Sequence, residues 1–388
     1  MTNTRPFSPE RLRGLFEPQS IALVGASDKS SWSWMVHTNL TVGGFDGRIY
    51  YINPRSATVH GQPAVPRLAD IGEAVDLVYI MVPGDAVLPV VREMADADIH
   101  NAIVLTAGFA EVGDEGRLRQ QELVKLAEEH DIAIIGPNCL GYMNVTRRIE
   151  AMPNTGAHPL IAGSVALLSQ SGALAGVMLN YAHEQPIGIS LLASTGNEAV
   201  VTISEALDYA VEDEATSVIA LFLETVRHPA RFVAAAQRAL KKGKPIVALK
   251  TGRGELSARV AQAHTGALVG DDRVIDALFR QLGIIRVDTL EDLLHTANVL
   301  AQTGHLRGNR LGLAGISGGA CDLTADWAEA AEIALPAFTE QSRTALRSLL
   351  PALGPAHNPL DVTGAAITNR VLFGQLLEVL ASDPHLDL

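Results

Sequence analysis

His264 stands in the run Thr251–Ala267, TGRGELSARVAQAHTGA, with Gly252 and Gly254 near the start of the run and Gly266 just past the imidazole. Glycines leave such a segment free both to move and to order. At ~3.3–3.6 Å per residue, the stretch from Gly252 to His264 reaches about 40 Å when fully extended. A neutral imidazole attacks phosphorus near pH 7 and departs again as a good leaving group, which is the chemistry of a phosphoryl carrier. The carrier nitrogen needs a group to orient the other side of the ring. Glu224, closing the apolar run SVIALFLE, is the candidate. One of 12 histidines taken alone would be an ordinary loop residue; its occurrence in a chain with two lysine-free anion turns singles out His264.

Those two turns have the composition of anion sites. Ser169-Gln170-Ser171-Gly172-Ala173 and Ile316-Ser317-Gly318-Gly319-Ala320 both place hydroxyls and small residues where an apolar strand passes into an apolar helix. Free amides and the positive end of the helix dipole favour an anion there, each by roughly 0.3–1 kcal/mol when exposed and up to ~2 kcal/mol when partly buried. Neither turn has a lysine beside it, so the expectation is an anion held by backbone amides alone, with Ser171, Gly172, Gly318 and Gly319 binding phosphate. A third turn, Val24-Gly25-Ala26-Ser27, ends the first strand without the spacing GxGxxG. The next strand ends in Asn53-Pro54-Arg55 and not in the carboxylate that would hold a ribose diol. A basic residue suits a phosphorylated ribose, so NADP and coenzyme A, with its 3′-phosphate, both satisfy this turn.

The elements that must position these residues are set by periodicity. Short Val-, Ile- and Leu-rich runs, each closed by Gly, Pro, Ser or Asn, alternate with longer helical segments, the pattern of parallel α/β units. SIALVGAS, GRIYYINPR, VDLVYIMVP, NAIVLTAGF and IAIIGPNCLGYMN predict one doubly wound sheet in residues 1–150. SVALLSQSG, GISLLASTG, SVIALFLE, KPIVALKTG and GIIRV predict a second over 151–304. A third unit over 305–388 opens at NRLGLAGISGG and reaches NPLDVTG and the helix RVLFGQLLEVLAS. It stops at DPHLDL, the lead-in to a further strand, so this third domain reads as truncated.

Composition removes several functions. With 30 basic and 43 acidic residues among 388, the net charge of −13 speaks against a broad nucleic-acid footprint. Hydrophobic residues at 47% and charged residues at 19% describe a packed globular chain. Its most apolar runs are broken by polar residues well short of a membrane span. Cys139 and Cys321 are too few for a disulfide framework or a cysteine-built zinc site, and no metal set is read in the chain itself. A cytoplasmic location is the expectation.

The run Ala263-His264-Thr265-Gly266-Ala267-Leu268-Val269-Gly270 resembles the phosphohistidine motif SHTGxLAG of the NDP-forming acyl-CoA synthetases, typified by ADP-forming acetyl-CoA synthetase, in the succinyl-CoA synthetase superfamily. GPNCLG at 136–141, TAGFAE at 106–111, SQSGAL at 169–174, GN at 196–197 and NPLDVTG at 358–364 also resemble the family's landmarks, so the likeness covers essentially the whole chain. It implies a Rossmann-like CoA-binding domain followed by flavodoxin-like domains, the second domain carrying the histidine. Gly25, Ser27, Asn53, Pro54, Arg55, Pro83, Thr106, Ala107 and Gly108 would line the CoA site. Ser171-Gly172 and Gly318-Gly319 would begin the two phosphate-facing helices, and Glu224 would steady the phosphohistidine. Asn138, Cys139, Gly196 and Asn197 would border the acyl site.

The resemblance also implies a reaction: phosphohistidine converts a carboxylic acid to an acyl phosphate, which the CoA thiol attacks. ATP or ADP with Mg would be bound by an ATP-grasp domain or subunit for which the chain shows no segment, and an oligomer is expected. The chain departs from the pattern at Ser31 to Trp34, Ser-Trp-Ser-Trp, where the family carries more glycine, and at Thr225, where it tends to have glycine. Two other readings are a CoA-sensing regulatory module and an NADP oxidoreductase. Retention of His264 and Glu224 speaks against the sensor, which needs no phosphoryl carrier.

Overall fold

The computed structural model describes residues 6–154, 160–254, 256–257, 271–304, 306, 308–350, 356–362 and 369–387. The chain divides into two compact units, 1–302 and 303–388, each with its own core.

The first unit holds two seven-stranded sheets. In the first sheet, β1 (Ser20–Val24), β2 (Arg48–Ile52), β5 (Leu77–Ile80), β6 (Asn101–Val104) and β7 (Ala133–Ile135) run parallel. A hairpin of β3 (Thr58–Val59) and β4 (Gln62–Val65) completes the order β3-β4-β2-β1-β5-β6-β7. The apolar runs are continuous because helices cover both faces; β1, β5, β6 and β7 are buried at every residue. Those helices are α1 (Pro9–Phe16), α2 (Ser31–Val42), α3 (Gly84–Asp96) and α4 (Asp114–Glu129). Ser8 caps α1 and Ser30 caps α2, each hydroxyl accepting from an amide of the first turn.

The second sheet takes β10 (Ala162–Ser169), β11 (Ile189–Ser194), β12 (Val218–Leu223), β13 (Ile246–Lys250) and β14 (Ile285–Val287) in parallel. Two further strands, β8 (Gly141–Asn144) and β9 (Ile149–Ala151), join its edge antiparallel. Its helices are α5 (Gly172–Glu184), α6 (Ile203–Glu212), α7 (Pro229–Lys241), α8 (Asp272–Gln281) and α9 (Leu290–Thr303). Thr202 and Glu205 form a reciprocal capping box on α6.

The assignment of IAIIGPNCLGYMN to the first sheet needs correction. Its first half is β7, but positive φ angles at Gly136 and Asn138 end that strand, and its second half is β8, paired with β11 of the second sheet. The strands therefore change sheets near residue 140, ahead of the boundary expected at 150.

Two features weld the sheets. The edge strand β7 pairs beyond itself with 199–201: Val201 N donates to Ile134 O at 3.0 Å and Ala199 N to Gly136 O at 3.0 Å. One buried cluster also spans both, from Leu23, Tyr79 and Ile103 to Leu168, Leu191 and Leu221. Phe16 of α1 stacks on Tyr209 of α6 at 4.5 Å, and Tyr142 donates its hydroxyl hydrogen to Leu15 O at 2.7 Å.

The second unit pairs β15 (Ala314–Gly315) with β16 (Leu360–Asp361) in parallel, beside α10 (Gly318–Ala330), α11 (Glu340–Leu349) and α12 (Arg370–Ala381). Phe338, Leu346, Leu360 and Leu376 form its core.

Gly141, at the change of sheets, has φ +94°, and a Cβ there would lie 2.3 Å from the backbone oxygen of Ala151. Gly72 has φ +74° with nothing within 4 Å of a Cβ. Gly141→Ala should therefore cost about 1–3 kcal/mol more than Gly72→Ala, through crowding added to backbone strain. Thermal melts of both variants test this; equal losses would contradict it.

Candidate active site

The glycine turn after β1 is held open by its neighbours. Gly25 adopts φ +83°, and a Cβ on it would meet Met81 O at 2.9 Å, so backbone from two strands converges there. Ser27 N donates to the Ser33 hydroxyl at 3.0 Å, and that hydroxyl in turn bonds His60 Nε2 at 2.7 Å. Trp34 packs against the His60 ring at 4.3 Å. The Ser-Trp-Ser-Trp stretch thus braces the turn from behind with polar and aromatic groups. Asn53 serves the same turn: its Nδ2 donates to Ala26 O at 2.8 Å, and its Oδ1 accepts from Arg55 N at 2.8 Å and Ser56 N at 3.1 Å. The Pro54 and Arg55 side chains stand exposed beside it, and Pro83 is the N-cap of α3.

The turn after β6 is tied across to the second sheet. Thr106 Oγ1 donates to Val82 O at 2.6 Å, and Gly108, φ +100°, donates its amide to Glu111 Oε1 at 2.6 Å. The other Glu111 oxygen accepts from Asn197 Nδ2 at 2.5 Å. Burial works against ionising Glu111, but the bonds from Asn197 and from the Gly108 and Phe109 amides outweigh it and hold the carboxyl below its usual range. Asn138 Nδ2 donates to Asn197 Oδ1 at 3.3 Å, and Asn197 N to Pro137 O at 2.9 Å. Gly196 fits because it has no side chain: φ is +59°, and a Cβ would lie 2.4 Å from Asn138 O. Cys139 lines the cavity but is buried, which pushes its thiol up to about 12 and disfavours the thiolate.

These ties close a cavity of about 530 Å³ between the two sheets. Trp32, Met81, Leu105 and Leu140 give it apolar walls; Thr106, Ala107, Asn138 and Asn197 border it from the seam. From the second sheet come Ser171 and Gly172 at the α5 N-terminus, with Glu224 and Arg227 from the loop after β12. Ser171 caps α5 by accepting from Leu174 N at 3.4 Å. The local pattern around Ser171 predicts backbone amides alone; the fold adds Arg227 to the same cavity.

Glu224 is placed by Gln170, a residue of the motif SQSGAL whose role the motif does not reveal. Gln170 Oε1 accepts from Glu224 N at 2.5 Å and Thr225 N at 2.9 Å, while its Nε2 donates to Thr225 O and to Glu198 Oε2, both at 2.8 Å. Glu198 is buried, φ +53°, and accepts also from Ile203 N at 2.7 Å and Thr195 Oγ1 at 3.0 Å. Desolvation raises its carboxyl to about 7, against the pull of Arg227 and of its donors. His264 lies outside the described residues.

In the second unit, Ser317 caps α10 by accepting from Ala320 N at 3.4 Å. A Cβ on Gly319 would meet nothing within 4 Å, whereas one on Gly318 would come 2.8 Å from Asp361 Oδ2.

Comparison with known proteins agrees with this geometry. Residues 19–145 match the CoA binding domain and residues 162–300 the succinyl-CoA ligase like flavodoxin domain. The chain is 33% identical over 374 residues to the alpha subunit of the ADP-forming acetate-CoA ligase II of Pyrococcus furiosus, covering 96% of this chain and 80% of that protein. It is 33% identical to a trans-feruloyl-CoA synthase of an unknown prokaryotic organism, over 98% of this chain and 55% of that one. It is 34% identical to the ADP-forming 4-hydroxybutyrate-CoA ligase of Nitrosopumilus maritimus, over 95% and 53%. The chain thus spans about half the length of these last two relatives. The solved acetyl-coenzyme A synthetase 1 of Ca. Korarchaeum cryptofilum, in complex with phosphate and ADP, matches at a TM-score of 0.87 and 31% identity, over 97% of this chain and 80% of that one. On these likenesses the chain belongs to the ADP-forming acetate-CoA ligase family of acyl-CoA synthetases, in the part that carries the CoA-binding and flavodoxin-like domains.

Proposed function

We propose that this chain binds CoA and carries a phosphohistidine at His264, as one part of an acyl-CoA synthetase that makes acyl-CoA from a carboxylic acid. One observation carries the reading: a single cavity joins Thr106 and Ala107 of the CoA-binding domain to Ser171, Gly172 and Glu224 of the flavodoxin-like domain. A thiol from the first side and a phosphoryl group from the second would meet there.

The chemistry runs in two displacements. A carboxylate oxygen attacks phosphorus; the P–N electron pair returns to the ring nitrogen, and the other ring nitrogen keeps its proton against Glu224. The CoA sulfur then attacks the acyl carbon, and phosphate leaves with the C–O pair while taking the thiol proton. The α5 amides stabilise the phosphoryl oxygens without trapping them. ATP and Mg would act in an ATP-grasp domain or subunit that first loads His264. The relatives carry the names of CoA ligases and an acyl-CoA synthase, which favours this reading over a CoA sensor or an NADP oxidoreductase.

Arg55 is exposed at the end of β2, where it would meet the CoA 3′-phosphate. Solvent screening discounts a charge-assisted bond of roughly 1.5–3 kcal/mol to about a threefold to tenfold preference for CoA over 3′-dephospho-CoA. Calorimetry should find that preference in the wild type and lose it in Arg55→Ala. Equal affinities in the wild type would remove Arg55 from the site.

Loading tests the reading itself. Incubated with ATP and an ATP-grasp part, the chain should take up an acid-labile, base-stable phosphate. His264→Ala should abolish the label with CoA binding intact, and Glu224→Gln should lower it. Label persisting in His264→Ala would make another residue the carrier.

A further inference from the structure

The cavity contains a cation that the turns alone do not announce. Arg227 stands three residues past Glu224, in the loop after β12, and lines the cavity together with Ser171, Gly172 and Asn197. Its Nε lies 3.4 Å from Glu198 Oε2, and the Glu198 side chain is 1% exposed against 26% for Arg227. Glu198 cannot follow a moving partner, because Ile203 N, Thr195 Oγ1 and Gln170 Nε2 all donate to it. The guanidinium thus stands beside this fixed, buried carboxyl group as an ion pair, although Nε makes no hydrogen bond to it. Among the described residues, neither terminal nitrogen of Arg227 has a hydrogen-bond partner.

We infer that Arg227 binds the carboxylate of the acid substrate, presenting its two terminal nitrogens as a fork beside the α5 N-terminus. This rests on the ligase reading and specifies where its acid sits. The physical need is charge. A carboxylate attacking a phosphoryl group beside Glu224 brings three negative groups together, and the amides of α5 serve only the phosphoryl oxygens. A planar guanidinium meets both carboxylate oxygens at once, which an ammonium does not. As the new O–P bond forms and the P–N bond breaks, the oxygen that remains on the acyl carbon becomes a carbonyl. Arg227 then stays on that carbonyl and on the acyl phosphate, polarising the carbon that the CoA sulfur attacks. Glu198 is the positioning residue: it touches no substrate and fixes the fork's direction, while Gln170 links it to Glu224 by bonding both.

The test uses the full chain, loaded at His264 by a supplied ATP-grasp part, with acetate as the probe because it presents the carboxylate on a single methyl group. Three quantities are read: CoA affinity, phosphate loaded, and the rate of label discharge with CoA as acetate is raised. Arg227→Gln should load and bind CoA within twofold of the wild type, while the acetate concentration for half-maximal discharge rises at least tenfold. Arg227→Lys should recover less than half of that loss. Glu198→Gln should raise the half-maximal acetate concentration less than Arg227→Gln does, with its maximal discharge rate little changed, a split that general unfolding would not produce. Unchanged acetate dependence in Arg227→Gln would overturn the proposal, as would loading or CoA affinity falling in step with discharge. So would a loaded wild type that acetate never discharges. A wild type that cannot be loaded would instead bring down the ligase reading, and this proposal with it.

Discussion

The site depends on a backbone seam between the two sheets of the first unit. Gly196-Asn197 packs on Pro137-Asn138 so closely that no side chain fits at Gly196, and Asn197 N, Ala199 N and Val201 N each donate across the join. Each such bond contributes a net ~0.5–1.5 kcal/mol, but its larger effect is geometric. The seam fixes the turn that ends β6 opposite the turn that starts α5, and the cavity is the space they leave. Glu111 extends the tie, gripping two amides of the first turn with one oxygen and Asn197 with the other.

Charge within that space is graded. The α5 N-terminus and Arg227 make one region positive, and Glu224, whose backbone amide donates to Gln170 Oε1, adds a carboxylate. Buried Glu198 and Gln170 bond to the groups that line the cavity, so the chemical side chains are set by a polar layer beneath them. Such supporting layers let a site hold an anion without rearranging when the anion's charge shifts.

Much of this is legible from local pattern. Every apolar run read as a strand in the first two series contains one, because a parallel strand covered on both faces needs a continuous apolar sequence. The glycine turns are legible for a similar reason: Gly25 and Gly196 answer to φ and close backbone approach, both properties of the residue type. The change of sheets is not legible, since Tyr142-Met143-Asn144 continues the apolar pattern of Ile134-Ile135 and pairing partners leave no local mark. Arg227 and Glu198 escape sequence reading for the same reason. Glu198 directly follows the Gly196-Asn197 pair and Arg227 lies three residues from Glu224, so proximity to recognised motifs is the available signal; their mutual contact exists only in the fold. In the third block, the run NRLGLAGISGG that opens the unit pairs as a strand, among the described residues, only at Ala314–Gly315, with Leu360–Asp361, besides an isolated bridge from Arg310 to Ala334.

The central claim is that one cavity receives both the CoA thiol and the phosphoryl chemistry. A crystal structure of the chain grown with CoA tests it most directly. The account predicts the adenosine end at the Gly25–Ser27 turn with its 3′-phosphate toward Arg55, and the sulfur inside the cavity between Asn138–Asn197 and the Ser171-Gly172 amides. CoA bound on another face, or bound at the first turn with its sulfur outside that cavity, would contradict it.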